Sequence, residues 1–215
     1  MGLREEKKRQ TRTLLADTAT ALFAEHGFER VTVAEVARAA GVAVNTVFNY
    51  FPTKEDLFFD RQDEVVDRLA RVVRERPAGA SPVDAVRAEL LAGLDADEPT
   101  YGLSPQAAAF WRTVEGSPAL RARLLDLGER AEEALAAALA EEAGLPAGAP
   151  LPRVVAGALA GAHRAALAEV RRGVVAGEPV DAVRDRVVAA VTAGFGLLAA
   201  GLAGWPSGPA GRAGA

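Results

Sequence analysis

Between positions 44 and 50 the sequence VNTVFNY places two asparagines four apart, Asn45 and Asn49, with Thr46 and Tyr50 interleaved. A carboxamide offers a donor and an acceptor side by side, which matches the N6 and N7 edge of adenine in the major groove of duplex DNA. On a helix, Val47 and Phe51 form a buried stripe, and Val44, Asn45, Thr46, Asn49 and Tyr50 then occupy the outer surface. The chemistry on offer is recognition. No defensible set of acid, base and nucleophile stands in the chain, which has two histidines, His26 and His163, and no cysteine. The lack of cysteine excludes a disulfide framework and thiolate metal sites. No second metal ligand stands three or four residues from His163. The reading is of a chain that is not an enzyme and calls for no metal or cofactor.

The elements that must hold those side chains are legible upstream. Thr32 is an N-cap and Glu35, three residues on, its capping-box partner, with Val31 and Val36 placed for a hydrophobic staple. Val33, Val36, Ala37 and Ala40 recur at helical spacing, and Gly41 stops the helix where a left-handed conformation is needed. A small residue at Ala37, the turn glycine Gly41 and an aliphatic at Val47 have the spacing of a helix-turn-helix, whose second helix enters the major groove. The competing reading is an αα-hairpin buried in some other bundle. The polar outward set favours the first.

The run from Phe23 to Leu57, with FAEHGF, TVAEVARAAGV, TVFNYF and TKEDL, resembles the DNA-binding domain of the TetR family of repressors. The resemblance implies a homodimeric, all-α, one-component regulator with a ligand-receiving C-terminal domain. It implies that Thr32, with Val33 beside it, meets the DNA backbone. Val44, Asn45, Thr46 and Asn49 then face bases or sugars, Tyr50 a phosphate or a base, and Lys54 a phosphate. Two positions depart from the family pattern. Ala43 stands where a serine or threonine cap is usual, a loss of about 1 kcal/mol to the second helix. Phe48 stands where tyrosine is commonest, so one hydroxyl contact to the backbone is missing.

Charge is distributed in the same sense. The whole chain of 215 residues carries a net charge of −4, yet positions 1 to 54 hold eight Lys and Arg against six Asp and Glu, and all three lysines. The basic run Arg4, Lys7, Lys8, Arg9, Arg12 reads either as a solvated tail or as a flexible arm along phosphates, Arg9 and Arg12 included. The opening residues have no apolar core of a signal peptide, which fits a cytoplasmic protein. A helix is expected from Thr13, with Leu15, Ala19, Leu22 and Phe23 buried and Gly27 ending it.

Downstream, Thr53 caps a long linking helix that carries Lys54 and continues to about Arg76, a lever between DNA and the rest. Serine-proline starts at Ser81, Ser104 and Ser117 open helices near 82 to 96, 104 to 115 and 117 to 143. Two more follow, about 152 to 176 and 179 to 203, for about nine in all. The last two are rich in Ala and Gly and are expected to pair with a second copy in a four-helix dimer interface. Residues 187 to 205 carry no charge but are too weakly apolar for a membrane span. Scarce aromatics, Tyr101, Phe110 and Trp111, with His163, read either as core or as the lining of an effector pocket. The segment from Phe110 onward resembles the members of the family grouped as binders of acyl-CoA-like ligands.

The expectation is therefore an all-α chain with an N-terminal three-helix helix-turn-helix domain over 1–53, a helical ligand-binding and dimerisation domain over 54–205 and a disordered tail over 206–215. Its partners are a palindromic DNA operator, a second copy of itself and a small apolar effector, acyl-CoA or similar, that releases it, with no membrane. The alternatives are a helical lipid or acyl carrier and an activator that needs no ligand release.

Overall fold

The structure, a computed structural model, describes residues 2–77 and 79–205. The tail over 206–215 lies outside them. Among the described residues there are ten α-helices and no strand: α1 Leu3–His26, α2 Val33–Ala39, α3 Val44–Tyr50, α4 Lys54–Phe58, α5 Gln62–Glu75, α6 Pro82–Asp95, α7 Ala107–Gly116, α8 Pro118–Glu142, α9 Pro150–Ala176 and α10 Val180–Gly201. By contact the chain divides into two compact units. The first comprises residues up to Gln62 with Thr113–Arg123, the second Asp63–Arg112 and the chain from Leu124 onward.

In the first unit α1 begins ten residues earlier than its apolar stripe suggests. The basic run is helical rather than a flexible arm. Arg9 pairs with Glu6 at 2.8 Å and Gln10 donates to the same carboxylate at 2.9 Å. Such contacts one turn apart, together with Glu5 and Glu6 in the first turn where the helix dipole favours negative charge, extend the helix toward its start. Leu15, Ala19, Phe23, Phe28, Val36, Val47, Phe51 and Leu57 are buried together with Val31 and Ala37. Each of the larger side chains contributes roughly 1.5–3 kcal/mol by leaving water. Phe28 seats α1, its ring 5.1 Å from that of Phe23 and 5.6 Å from that of Phe58.

The expected linking helix is two helices, and this accounts for ten where nine were anticipated. α4 stops at Phe58, and α5 starts at Gln62. A continuous helix would turn the Asp60 carbonyl into its own ladder. Instead that carbonyl accepts from Arg12 at 2.9 Å, and Phe58 and Phe59 meet edge to face with ring centres 5.1 Å apart. A single rigid lever from Lys54 to Arg76 is therefore not what the chain builds.

In the second unit α10 packs on α9 and α6 over a core that includes Val86, Leu90, Leu139, Leu159, Val187 and Phe195. Gly173 permits a close approach of α9 and α10: a Cβ there would stand 2.5 Å from a methyl of Val183. Val65 on α5 is exposed, and the buried face of that helix is formed by Leu69, Ala70 and Val73. Ser104 and Pro105 form a turn, and α7 starts only at Ala107, whose amide donates to Ser104 Oγ at 3.3 Å. Ala189, Ala193, Gly196 and Ala200 lie exposed along α10 beside Leu197, which is 78% exposed. None of the helices, among the described residues, is long and apolar enough to cross a membrane.

Candidate nucleic-acid interface

The local chemistry read from Thr32 is present in full. Its backbone amide and its hydroxyl both donate to the Glu35 carboxylate, at 2.7 and 2.8 Å, and the Glu35 amide donates back to the hydroxyl at 3.3 Å. The hydrogen bond from the Thr32 amide, then that from its hydroxyl, holds the Glu35 carboxyl below the usual carboxylate range. Gly41 follows with φ +69°, the left-handed region in which a side chain is strained, and turns the chain toward α3. The Val42 amide closes the turn on the Ala37 carbonyl at 3.0 Å.

α3 has Ala43 as its N-cap and so no side-chain cap, and the Thr46 amide donates to the Ala43 carbonyl at 2.9 Å. Val47 and Phe51, 0% and 1% exposed, anchor the helix. Asn45 and Asn49 are exposed, Thr46 and Tyr50 half-buried, and Val44 is 38% exposed. Thr32 is exposed and Val33 half-buried at the start of α2. The carboxamides thus stand on the exposed surface of α3, where base-edge recognition could reach them.

The end of α3 is held by α1. Arg12 donates to the Tyr50 carbonyl at 3.0 Å and to the Asp60 carbonyl at 2.9 Å, with its guanidinium 4.4 Å from the centre of the Phe51 ring. It satisfies a carbonyl orphaned at the helix terminus and so fixes the end of α3. Glu5, Lys8, Arg9, Arg12, Asn49 and Tyr50 line one cleft of about 350 Å³. Five of the residues singled out from sequence, Lys8, Arg9, Arg12, Asn49 and Tyr50, therefore come together there.

Lys54 is more constrained than an exposed phosphate grip. Its ammonium donates to the carbonyls of Phe28 at 2.9 Å and Val31 at 3.2 Å and lies 4.2 Å from the centre of the Phe28 ring. One of its three donors is left for another acceptor. Thr53 caps α4 through Asp56, as its sequence suggests, and the same buried carboxylate also accepts from Gln62 at 3.1 Å and Arg123 at 2.6 Å. Arg123 further donates to Gln62 at 2.7 Å. Nothing in the sequence marks Arg123 as a partner of a residue 67 positions earlier.

In the second unit the four candidate pocket residues form two touching pairs. The rings of Tyr101 and His163 are 5.8 Å apart, and those of Phe110 and Trp111 are 5.0 Å apart. The pairs meet at the turn after Tyr101, where a Cβ on Gly102 would lie 2.6 Å from the Trp111 indole nitrogen. Tyr101 is buried against Gly93, where a Cβ would stand 2.3 Å from its ring. Its hydroxyl donates to Glu89 at 2.5 Å, and burial, with the Glu89 carboxylate, pushes the phenol well above its ordinary range. Arg68, 6% exposed, binds Glu64 and Glu89 at 3.2 Å and the Thr100 hydroxyl at 2.8 Å. Burial, then the charges of Arg68 and Arg164, lowers the His163 imidazole to about 4. The Nε2 of His163 and the Nε1 of Trp111 are buried without a hydrogen-bond partner. Such groups cost free energy unless a guest or water meets them. Arg68 and Glu89 were missed from sequence, because a charged residue on a helix reads as solvated.

Against known proteins, residues 15–60 match the family profile described as bacterial regulatory proteins, tetR family. The transcriptional regulator TcmR of Streptomyces glaucescens is 32% identical over 147 residues, covering 67% of this chain and 65% of that protein. The transcriptional repressor AcnR of Corynebacterium glutamicum is 27% identical over 130 residues, covering 60% of this chain and 64% of the relative. The chain thus spans slightly less than two thirds of the length of either. A solved complex of SmeT with triclosan aligns with TM-score 0.55 over 89% of this chain and 91% of that one. At 18% identity the likeness is one of fold. SmeT itself is the repressor of the Stenotrophomonas maltophilia multidrug efflux pump SmeDEF.

Proposed function

This chain belongs, through residues 15–60, to the tetR family of bacterial regulatory proteins, and on that premise we propose that it is a one-component transcriptional repressor of the cytoplasm. It binds a palindromic operator as a homodimer and leaves it when a small apolar effector enters the second unit. The observation that carries the reading is α3, which stands on buried Val47 and Phe51 with Asn45 and Asn49 bare of partners outward. Lys8 and Arg9 flank it in the same cleft as groups suited to phosphates.

The division of labour follows the chain. Residues 1–53 carry the DNA contacts, with Thr32, Val33, Val44, Asn45, Thr46, Asn49 and Tyr50 at the groove, and Arg9 and Lys54 toward phosphates. Arg12 serves by holding the end of α3. Residues 54–205 receive the effector and pair with a second copy. The partnerless nitrogens of Trp111 and His163 support an effector with an apolar body and a few polar atoms, acyl-CoA or similar. The uncharged outer row of α10 supports the dimer. In the dimer the two recognition helices meet successive major grooves about 34–36 Å apart. The effector acts by preferring a dimer with a different spacing, and a differential affinity of typically 1–3 kcal/mol makes it a switch.

The test is binding of the full chain to the DNA upstream of its own gene, followed by fluorescence anisotropy, with Asn49→Ala alongside. The substitution should cost roughly 1–3 kcal/mol of discrimination between operator and random duplex while leaving random binding as it was. Equal loss on both would remove Asn49 from base reading. Absence of any sequence preference in the unaltered chain would end the proposal.

A further inference from the structure

The outward face of α3 has a second row that the carboxamides do not explain. Val44 and Phe48 stand one turn apart, 38% and 45% exposed, on a helix anchored by buried Val47, with Phe51 buried at its C-cap. A benzyl side chain in water is unfavourable, and it cannot bind phosphate, having no donor. At about 100° per residue, Val44 and Phe48 form a row directly beside the row of Asn45 and Asn49.

The composition of the helix narrows what this face can read. VNTVFNY contains no Arg or Lys and no Asp or Glu. It therefore lacks the bidentate donor that recognises guanine O6 and N7, and the carboxylate that accepts from cytosine N4. Its amides suit adenine. The one apolar feature in the major-groove edge of the base pairs is the C5-methyl group of thymine, and an A·T pair shows it alongside adenine N6 and N7. A row of amides next to a row of hydrocarbon matches that edge.

We propose that Phe48, with Val44, is a specificity-determining contact to thymine methyl groups, so that the base pairs beneath α3 in each half-site are A·T pairs. The assignment rests on the reading of this chain as a DNA-binding regulator and names the sequence class it selects.

The experiment selects duplexes from a random pool with the full chain, then measures affinity for the winning site with single thymines replaced by deoxyuridine. That change removes the methyl and leaves the base pair and O4 in place. One replacement under α3 should weaken binding about fourfold, the effect of one buried carbon. Phe48→Ala should bring the thymine-to-uracil ratio at that position near one, and Phe48→Leu should keep most of it. Both variants change an exposed side chain and should fold. Selected sites with G·C pairs under α3, an unchanged affinity for the uracil duplex, or a ratio that survives in Phe48→Ala and in Val44→Ala would overturn the assignment alone. A pool that shows no enrichment would overturn the regulator reading and this assignment with it.

Discussion

Lys54 spends two of its three ammonium donors on the carbonyls of Phe28 and Val31, so replacing it acts twice. Lys54→Ala should destabilise the fold by about 1.5–3 kcal/mol, read as a shift in thermal or urea midpoint, because two carbonyls lose a charged donor. It should also flatten the salt dependence of DNA binding by about one unit in log–log slope. A lower midpoint with an unaltered slope would make Lys54 a brace and not a phosphate contact. His163 carries the second expectation at this scale. Burial against the Tyr101 ring, with Arg68 and Arg164 nearby, holds its folded pKa at about 4 against an ordinary 6.5. Between those values the unfolded chain binds the extra proton and the folded one does not. Its contribution to stability is whole above pH 6.5 and is lost as pH falls toward 4. Thermal midpoints across that window should fall less steeply for His163→Leu than for the unaltered chain. Equal slopes would show that the imidazole is already wet or protonated in the folded state.

Among the elements, α3 is short, seven residues, and starts without a side-chain acceptor at Ala43. Ala43→Ser should supply one and stabilise the chain by about 0.5–2 kcal/mol in urea denaturation, with slower amide exchange confined to the first turn of α3. No change in either would mean that the Ser hydroxyl finds another partner. The contrast with Thr32 and Thr53 shows what was legible in the sequence. Both capping boxes, the Gly41 turn and the stripe of Val47 and Phe51 are set by residues within four positions of one another, and each stands in the structure as read. The break after Phe58 was not legible, because its cause is Arg12, 48 residues upstream, taking the Asp60 carbonyl out of the helical ladder. The early start of α1 was missed for the opposite reason. Pairs such as Glu6 with Arg9 support a helix that has no apolar stripe to announce it. Nothing in the local pattern of α5 marks Arg68 as buried, and Glu64, Glu89, Glu98 and Thr100 arriving around it make its burial tolerable.

For the whole molecule, the outer row of α10 makes the oligomeric state the decisive quantity. Ala189, Ala193, Gly196 and Ala200 let a second helix approach closely, and Leu197 supplies the apolar area beside them. Ala193→Arg places a long cation in the middle of that row. It should convert a dimer to a monomer in light scattering after gel filtration, and lower operator affinity at least tenfold, since each half-site is then held alone. A dimer that persists with Ala193→Arg would move the interface elsewhere. The candidate pocket was legible as a list of scarce aromatics. Its joining at the Tyr101–Gly102 turn was not, because two glycines, Gly93 and Gly102, make the room, and an absent side chain leaves no mark in a hydrophobic pattern.

The chain has two tryptophans, Trp111 and Trp205, and both belong to the second unit. Ultraviolet emission excited at the indole band therefore originates wholly from the half proposed to receive the guest, with none from α1 to α4. The Trp111 ring lies 5.6 Å from the Arg171 guanidinium, and its buried nitrogen has no hydrogen-bond partner among the described residues. A molecule seated against it changes both the polarity and the charge felt by the fluorophore. Occupancy can then be followed in the unlabelled protein while dye-tagged DNA reports separately on operator release, giving the two sides of the switch in one cuvette.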